Sequence, residues 1–248
     1  MKKILFLFIA PLLFIGCSKD NSEPRYSINE TELVTNFDKE FQFVVKQGSN
    51  NIDPSALTWT SSDKVVGTID TDGLFHANRI GATTITGTNG TYTVKSEVTV
   101  ASYDEIYKEP ILTFGASKAD IKAKETKALL EETENVLVYR SESNRLENMG
   151  YTFANNMMQS AIAVFKMTNT IGTELGIYMA ERYTYIGDNE EVILLSNDRG
   201  VLVAIRIDPS LGLIAMYLEE TSLQGTTMKA SSKKPTLSLK AKLQSVVR

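Results

Sequence analysis

The feature that most constrains the fold is a series of short alternating segments separated by turn dipeptides, in the first half of the chain. Phe41–Val45, Leu57–Thr60 and Thr83–Thr86 alternate apolar and polar residues, as half-buried strands do. Asp72-Gly73 and Asn89-Gly90 are the dipeptides that suit a tight hairpin turn, which needs positive φ. Short strands at regular spacing with turn chemistry between them predict an all-β sandwich.

Longer strings in the same region identify a family. The string LTWTSSDKVVGTIDTDGLFHANRIGATTITG, with VTV after it, resembles the group 2 bacterial Ig-like domain of intimin- and invasin-type surface proteins. The resemblance covers residues 26–102 and implies a sandwich of about seven strands, used as a spacer or adhesion module. Trp59 is interpreted as a core residue between the two sheets, because its ring carries so much apolar area.

Two apparent metal sites in this region are not supported. Asp70-Thr71-Asp72-Gly73 resembles the start of a calcium loop, but its glycine comes two positions early and no glutamate occupies the twelfth position. His76 is the only histidine, and a zinc site needs further His or Cys ligands. We therefore expect a turn, a strand residue and no metal.

The first residues have the pattern of an export signal. Met1-Lys2-Lys3 is positively charged, Ile4–Gly16 is uncharged and nearly all apolar, and Cys17 follows a small residue. The segment resembles a bacterial lipoprotein signal, although Phe14 replaces the usual leucine. The resemblance implies a signal peptide at 1–16, lipid (palmitate) on Cys17 and a tether at 17–25. An ordinary secretory signal with a free thiol is the alternative.

The residues after Cys17 bear on the final location. Ser18–Glu23 is polar and contains acids, and it resembles the export signal that sends Bacteroidetes lipoproteins to the outer face of the outer membrane. We therefore expect a lipid-anchored outer-membrane protein exposed on the cell surface. A plain tether facing the periplasm is the alternative.

The second half, residues 103–221, is predicted as an α+β domain. Ile111–Gly115 is predicted as a strand, and Ser117 as the cap of an amphipathic helix that reaches about Glu132. A second helix is predicted from a cap at Thr173 through Tyr183. Three strands are predicted after each helix, namely Val136–Arg140, Tyr151–Phe153 and Ala161–Met167, then Val192–Leu195, Val201–Ile207 and Leu213–Leu218.

This order indicates a duplicated α-β-β-β unit that forms one antiparallel sheet with both helices on one face. At the level of the fold it is similar to two-repeat secreted proteins such as the β-lactamase-inhibitor type. No function follows from that similarity.

Charge divides the chain unevenly. Residues 18–221 hold 18 basic and 30 acidic residues, whereas residues 222–248 hold six basic residues and no acid. We expect the tail at 222–248 to be mobile. The net charge of −4 and the pI near 5.3 do not suggest nucleic-acid binding.

The sequence offers no catalytic constellation. It lacks a second histidine, a Gly-x-Ser-x-Gly elbow and a glycine-rich phosphate loop, so we expect neither a cofactor nor an enzyme. Acidic pairs occur at Glu131-Glu132, Glu190-Glu191 and Glu219-Glu220. Adjacent carboxylates cannot converge on one another across a cleft, as a glycosidase requires.

The tyrosines of the second half are the remaining candidates for ligand contact, because aromatic rings can stack against sugars or peptides. An alternative interpretation packs most of them between helix and sheet. The candidates are Tyr139, Tyr151, Tyr178, Tyr183, Tyr185 and Tyr217. We expect an adhesion or ligand-binding protein with an unknown protein or glycan partner. A glycan-active hydrolase built from dispersed carboxylates and a purely structural envelope component remain open.

Overall fold

A computed structural model describes residues 25–189 and 191–223. The predicted signal peptide at 1–16, Cys17 and most of the tail at 222–248 lie outside the described residues. The strands of the first domain are β1 Tyr26–Ile28, β2 Glu32–Asn36, β3 Glu40–Gln42, β4 Val45–Gln47, β5 Asn50–Asn51, β6 Thr58–Ser61, β7 Gly67–Ile69, β8 Leu74–Ala77, β9 Gly81–Thr88 and β10 Thr93–Ala101.

The first domain is an Ig-like sandwich, as predicted. One sheet has the order β2-β10-β9-β6, and smaller sheets have the orders β3-β8-β7 and β1-β4-β5. β10 pairs in parallel with β2 and antiparallel with β9. The predicted strand Phe41–Val45 is divided, because the chain passes from β3 to β4 there and the Phe43 amide bonds the Gly73 carbonyl instead.

Trp59 joins the two layers of the sandwich. It lies on β6 opposite Gly87 of β9, and its ring is near Gly73 at the turn before β8. Its indole N–H donates to the Pro54 carbonyl at 3.1 Å, and its ring centroid lies 6.3 Å from that of the fully buried Phe43. Trp59 is half-buried and packs against the core, in agreement with its interpretation as a core residue.

The second domain contains one eight-stranded antiparallel sheet and two helices. Its elements are α1 Lys118–Lys124, β11 Leu129–Glu132, β12 Val136–Arg140, β13 Leu146–Ala154, β14 Met157–Phe165, α2 Ile171–Ala180, β15 Thr184–Asp188, β16 Val192–Ser196, β17 Val201–Asp208 and β18 Gly212–Glu219. The sheet order is β11-β12-β13-β14-β18-β17-β16-β15. Because the helices have only 7 and 10 residues, the domain is mainly β structure and the predicted α+β class holds only in part.

The internal repeat exists, but its unit is α-β-β-β-β rather than α-β-β-β. β11 and β15 were missed, since both are short outer strands of the sheet. The predicted first helix is too long: it ends at Lys124, because Glu125 is extended and its carboxylate binds the backbone of Thr126 and Lys127. Residues from Leu129 onward then pair with β12.

Three further boundaries differ from prediction. Ile111–Gly115 forms no strand, because the Ile111 amide bonds the Tyr151 hydroxyl and Gly115 has a φ of 75°. The second helix begins at Ile171, so Thr173 lies within it, and it ends before Tyr183. The Ser117 cap is confirmed, since its side chain accepts from the Asp120 amide.

Both helices pack on one face of the sheet. The register aligns Tyr151 with Ala161 and Ala161 with Tyr217, so the two tyrosines point to the same side. The Tyr151 hydroxyl donates to Glu125, just after α1. The Tyr217 hydroxyl bonds that of Tyr107, whose carbonyl accepts from Tyr178 of α2.

Candidate binding surface and domain junction

The six tyrosines proposed as ligand contacts lie in the core. They are buried, with between 0% and 8% of each residue exposed. Tyr139 packs edge-on against Tyr151, and Tyr183 packs against Tyr217. These rings therefore fill the space between the sheet and its covering elements, as the alternative interpretation holds, and they offer no open stacking platform.

Two of the six tyrosines, Tyr178 and Tyr217, bond to Tyr107 in the linker between β10 and α1. Tyr107 is 3% exposed and packs its ring 4.5 Å from that of Tyr178. Burial raises the pKa of Tyr107 and of Tyr217 well above the usual value, because phenolate would have no solvation there. Both hydroxyls therefore stay protonated, and the bonded tyrosines are a structural tie between the linker and the sheet.

The junction between the two domains is organised around one buried carboxylate. Glu181, directly after α2, is fully buried and accepts hydrogen bonds from the Tyr103 amide at 2.7 Å and from Arg182 at 2.9 Å. Its main-chain carbonyl accepts from the Ile80 amide of the first domain. Burial raises the pKa of Glu181, and its bonds to Tyr103 and Arg182 partly offset that rise.

Other contacts join the domains around this carboxylate. Arg79 of the first domain donates to the Thr184 hydroxyl at 2.8 Å, and Arg199 of the second pairs with Asp63. The Tyr103 hydroxyl donates to the Phe37 carbonyl. No pattern in the sequence indicates this junction, because the partners are distant from each other along the chain and belong to no motif.

Arg182 supports the junction from the second domain. Its guanidinium lies 3.6 Å from the centre of the Tyr178 ring and pairs with both Glu181 and Glu105. Glu109 accepts from the Tyr183 hydroxyl at 2.7 Å, and burial raises the pKa of this carboxyl as well. Buried Glu181 and half-buried Glu109 therefore both bond to structural partners.

A cavity of about 290 Å³ lies where the domains meet. It is lined by charged residues of the first domain, including Glu40, His76 and Arg79, and by Tyr183 and Tyr185 of the second. His76 is a strand residue of β8, as predicted, and its Nδ1 lies 3.0 Å from the Glu40 carboxylate. Because the lining carries both signs of charge, and Glu40 and His76 already pair with each other, the cavity does not indicate which class of ligand it would bind.

The apparent calcium loop at Asp70–Gly73 is a turn. The Asp70 carboxylate accepts from the amides of Asp72 and Leu74, each at 2.9 Å, so its oxygen is used by the backbone. Among residues 25–189 and 191–223 no group of three acidic, histidine or cysteine side chains could hold a metal ion.

The acidic pairs of the second domain lie on the surface. Glu131, Glu132, Glu219 and Glu220 are exposed, and so is Glu191. Glu132 is already paired with Lys118 and Lys122. Glu219 and Glu220 line an open cavity of about 660 Å³ together with Arg199, and they are adjacent in the chain rather than opposed across it.

The second face of the large sheet has a different character from the helix-covered face. The register aligns Val138, Ile162, Met216 and Ala204 across it, and all four are only half-buried. Exposed Arg140 and half-buried Arg206 lie toward one end of the same face. This aliphatic face is the candidate binding surface, and it is defined here by those six residues.

The helices of the second domain are short. No helix within residues 25–189 and 191–223 is long and apolar enough to cross one.

Comparison with known families gives a match for the first domain. Residues 24–100 match the model of the bacterial Ig-like domain (group 2). The match agrees with the resemblance drawn from the sequence and supports a surface- or adhesion-type module. The C-terminal half matches no family model.

Comparison with individual proteins adds little. No curated protein matches the chain. Domains 5-6 of the S-layer protein SbsC align with 84% of this chain and 85% of their own, at 15% identity and a TM-score of 0.28. Domains 4-9 of SbsC align with 79% of this chain and 26% of theirs, at 14% identity and a TM-score of 0.26. Alignments at these TM-scores carry no argument about architecture or function.

Proposed function

We propose that this protein is a lipid-anchored outer-membrane protein displayed on the cell surface. Cys17 carries the lipid, the Ig-like domain is a spacer, and the second domain binds a protein partner through the aliphatic face. The observation that carries the proposal is the domain junction at Glu181, because a spacer is useful only if it holds the domain it presents. The family match of residues 24–100 supports the surface role.

The junction suits a spacer because its bonds are buried and varied. A carboxylate removed from water must keep its partners, so the bonds of Glu181 to Tyr103 and Arg182 resist opening. The main-chain bond from Ile80 and the Arg79–Thr184 bond add contacts from the first domain. We infer that the second domain is held in a fixed orientation at the end of the Ig-like domain.

A protein fits the aliphatic face better than a glycan does. Sugar recognition favours exposed aromatic rings, and the six tyrosines that could have supplied them are buried. The face instead carries Val138, Ile162 and Met216, with arginines toward one end. Apolar side chains and arginine are the types enriched at the centres of protein interfaces.

Contact rather than catalysis is the proposed mode of action. Half-buried Glu109 accepts a bond from Tyr183, and buried Glu181 accepts bonds from Tyr103 and Arg182, which suits a structural role. A hydrolase would instead need two carboxylates free to face each other across a cleft. Turnover of a glycan or peptide, lost when one acid is replaced, would overturn this part of the proposal.

The anchor is tested by Cys17→Ser. The variant should lose incorporation of a fatty-acid probe and leave the membrane fraction, because the thiol is the only site for the lipid. Ser18→Ala, one residue along, is the matched control and should keep both properties. If the Cys17→Ser protein still fractionates with membranes, the anchor is not at this residue.

The binding surface is tested with Met216→Lys on the full mature chain. Binding to immobilised fibronectin, laminin and collagen should be measured beside a glycan array. We expect one of the three proteins to bind, and Met216→Lys to weaken that binding about tenfold, a loss of ~1.4 kcal/mol. Met167→Lys is the control, because Met167 is 54% exposed and lies beyond the end of β14.

Two results would contradict this assignment. Equal binding by the Met216→Lys and Met167→Lys variants would remove the aliphatic face from the interaction. Binding to glycans alone, or to none of the three proteins, would count against a protein partner of this kind.

A further inference from the structure

One edge of the large sheet is unprotected in the described residues. β11 is its outermost strand on that side, and all four of its residues are exposed. Leu129 is 41% exposed and Leu130 is 50% exposed. An outer strand with exposed leucines and unpaired backbone groups readily pairs with another extended segment.

The opposite edge of the sheet, β15, is protected against pairing with another strand. β15 has a bulge between Tyr185 and Gly187, and its first residue, Thr184, accepts a hydrogen bond from Arg79 of the Ig-like domain. Bulges and covering contacts both discourage pairing at an edge. Of the two outer strands of the large sheet, β11 is therefore the one that lacks such protection among the described residues.

The charge at the β11 edge is acidic. Glu131 and Glu132 belong to the strand itself, and Glu134 follows it; all three are exposed. Glu132 pairs with Lys118 and Lys122 of α1, whereas Glu131 pairs in register with Val138 and so points to the other face of the sheet. An occupant that presents cations to Glu131 would suit this edge.

We propose that residues 237–243 of this same chain add to β11 as a ninth, antiparallel strand. Leu237, Leu239, Ala241 and Leu243 alternate with Ser238, Lys240 and Lys242, which is the period of a strand with one apolar face. Residues 222–248 contain six basic residues and no acid, so the segment complements the acidic edge.

The alternation matches both faces of the edge. Leu129 pairs in register with Tyr139, on the helix-covered face, and Glu131 pairs with Val138, on the aliphatic face. A strand that places its leucines beside Leu129 necessarily places Lys240 and Lys242 on the side of Glu131, because successive side chains alternate. A single register therefore gives both the apolar contact with Leu129 and the ion pairs with Glu131.

The chain is long enough to reach this edge. β18 lies four strands from β11, so the new position is about 24 Å away at ~4.8 Å per strand. Residues 224–236 can span about 43 Å when extended.

The direction of the strand also follows from the topology. Leu218 aligns through Ser160 and Thr152 with Val136, so the chain leaves β18 at the end of the sheet where β11 finishes. A segment that starts there and runs along β11 is antiparallel to it.

Amide hydrogen exchange on the full mature chain carrying Cys17→Ser tests the proposal. Removing residues 224–248 should speed exchange of the amides of residues 129–132 at least tenfold, because their outward N–H groups lose their acceptors. Residues 184–188, on the other edge, are the internal control and should change less than twofold. Equal exchange of residues 129–132 with and without the tail would overturn the proposal.

Point variants separate strand addition from a general effect of the tail. Leu239→Pro should reproduce the truncation, since proline removes a ladder donor, whereas Thr226→Pro should not. Lys240→Glu with Lys242→Glu should also expose residues 129–132, and Lys229→Glu with Lys233→Glu is the control of equal charge. Protection that falls on dilution, with a dimer seen by light scattering, would assign the edge to a second copy and contradict the proposal.

Discussion

Glu181 shows how much of the junction depends on a single side chain. It is fully buried, and its carboxylate accepts from a linker amide and from the neighbouring arginine, while its carbonyl accepts from the Ig-like domain. Removing one partner of a buried ion pair leaves the other charge unsatisfied, which costs more than the pair itself contributes. A conservative substitution at Glu181 is therefore the most direct test of how far this carboxylate stabilises the junction.

Glu181→Gln should change how stability depends on pH. Burial raises the folded-state pKa of Glu181 above its usual value of 4.5, so its contribution to the free energy of unfolding is fully present below pH 4.5 and is lost as pH rises through the folded pKa. The free energy of unfolding of the native chain minus that of Glu181→Gln should therefore fall as pH rises from about 4. Urea unfolding at a series of pH values measures it.

The control for that experiment is Glu30→Gln, which removes one charge at an exposed site. A pH-independent difference between the native chain and Glu181→Gln would show that Glu181 does not titrate differently in the folded state. The account of the junction as a buried carboxylate site would then be wrong.

Gly73 and Gly90 make a matched pair for testing the packing of Trp59. Both have positive φ, 77° and 87°, so alanine carries a similar backbone cost of roughly 1–2 kcal/mol at either position. A Cβ on Gly73 would lie 3.1 Å from the Trp59 ring, whereas nothing lies within 4 Å at Gly90. Gly73→Ala should therefore lower the free energy of unfolding by about 1 kcal/mol more than Gly90→Ala. Equal losses in denaturant unfolding would mean that Trp59 has room to move.

At the scale of elements, the short helix α1 depends on its first residue. The Ser117 side chain accepts from the Asp120 amide at 3.1 Å and donates to the Asp120 carboxylate at 2.6 Å. With only seven residues, α1 has few bonds of its own to compensate for the loss of a cap. We expect Ser117→Ala to lower the free energy of unfolding by about 1 kcal/mol.

The comparison for Ser117→Ala is Ser210→Ala. Ser210 is exposed in the turn between β17 and β18, where its backbone amide rather than its side chain bonds Asp208. That variant should change stability by less than about 0.5 kcal/mol. If the two variants match, the cap bond contributes nothing measurable.

Elements also show what the sequence could and could not predict. The Ig-like strands were predictable because alternation and Asp-Gly and Asn-Gly turns coincide there, and the Ser117 cap carries a local signal. β11 was mistaken for the end of a helix, because an outer strand with four exposed residues lacks the burial alternation that identifies strands. Ile111–Gly115 was mistaken for a strand because a half-buried linker segment can be equally apolar.

The site was harder to predict than the fold. The number of tyrosines in the second half suggested a binding surface. A tyrosine can be buried in the core, however, if its hydroxyl has one hydrogen-bond partner, as the Tyr217 hydroxyl has in Tyr107. The partners of Glu181 come from the linker and from another domain, so no spacing in the sequence relates them. Contacts of this kind follow from tertiary packing alone.

At the scale of the whole molecule, the domain boundary near Tyr103 stays a prediction. Residues 26–102 and 103–221 should each fold as separate fragments, because no sheet is shared between them. We expect two cooperative transitions in denaturant, with the smaller Ig-like fragment the less stable. A single shared transition, with neither fragment folding alone, would contradict the boundary.

The central claim is that both domains are held outside the cell by a lipid on Cys17. Cys17 is the only cysteine, so Ser49→Cys in the first domain and Ser210→Cys in the second each add one free thiol at an exposed turn. Intact cells should be treated with a membrane-impermeant maleimide. Both thiols should label on intact cells, and adding Cys17→Ser should move the labelled protein from the cells to the medium. Labelling of either thiol only after the outer membrane is permeabilised would contradict surface display.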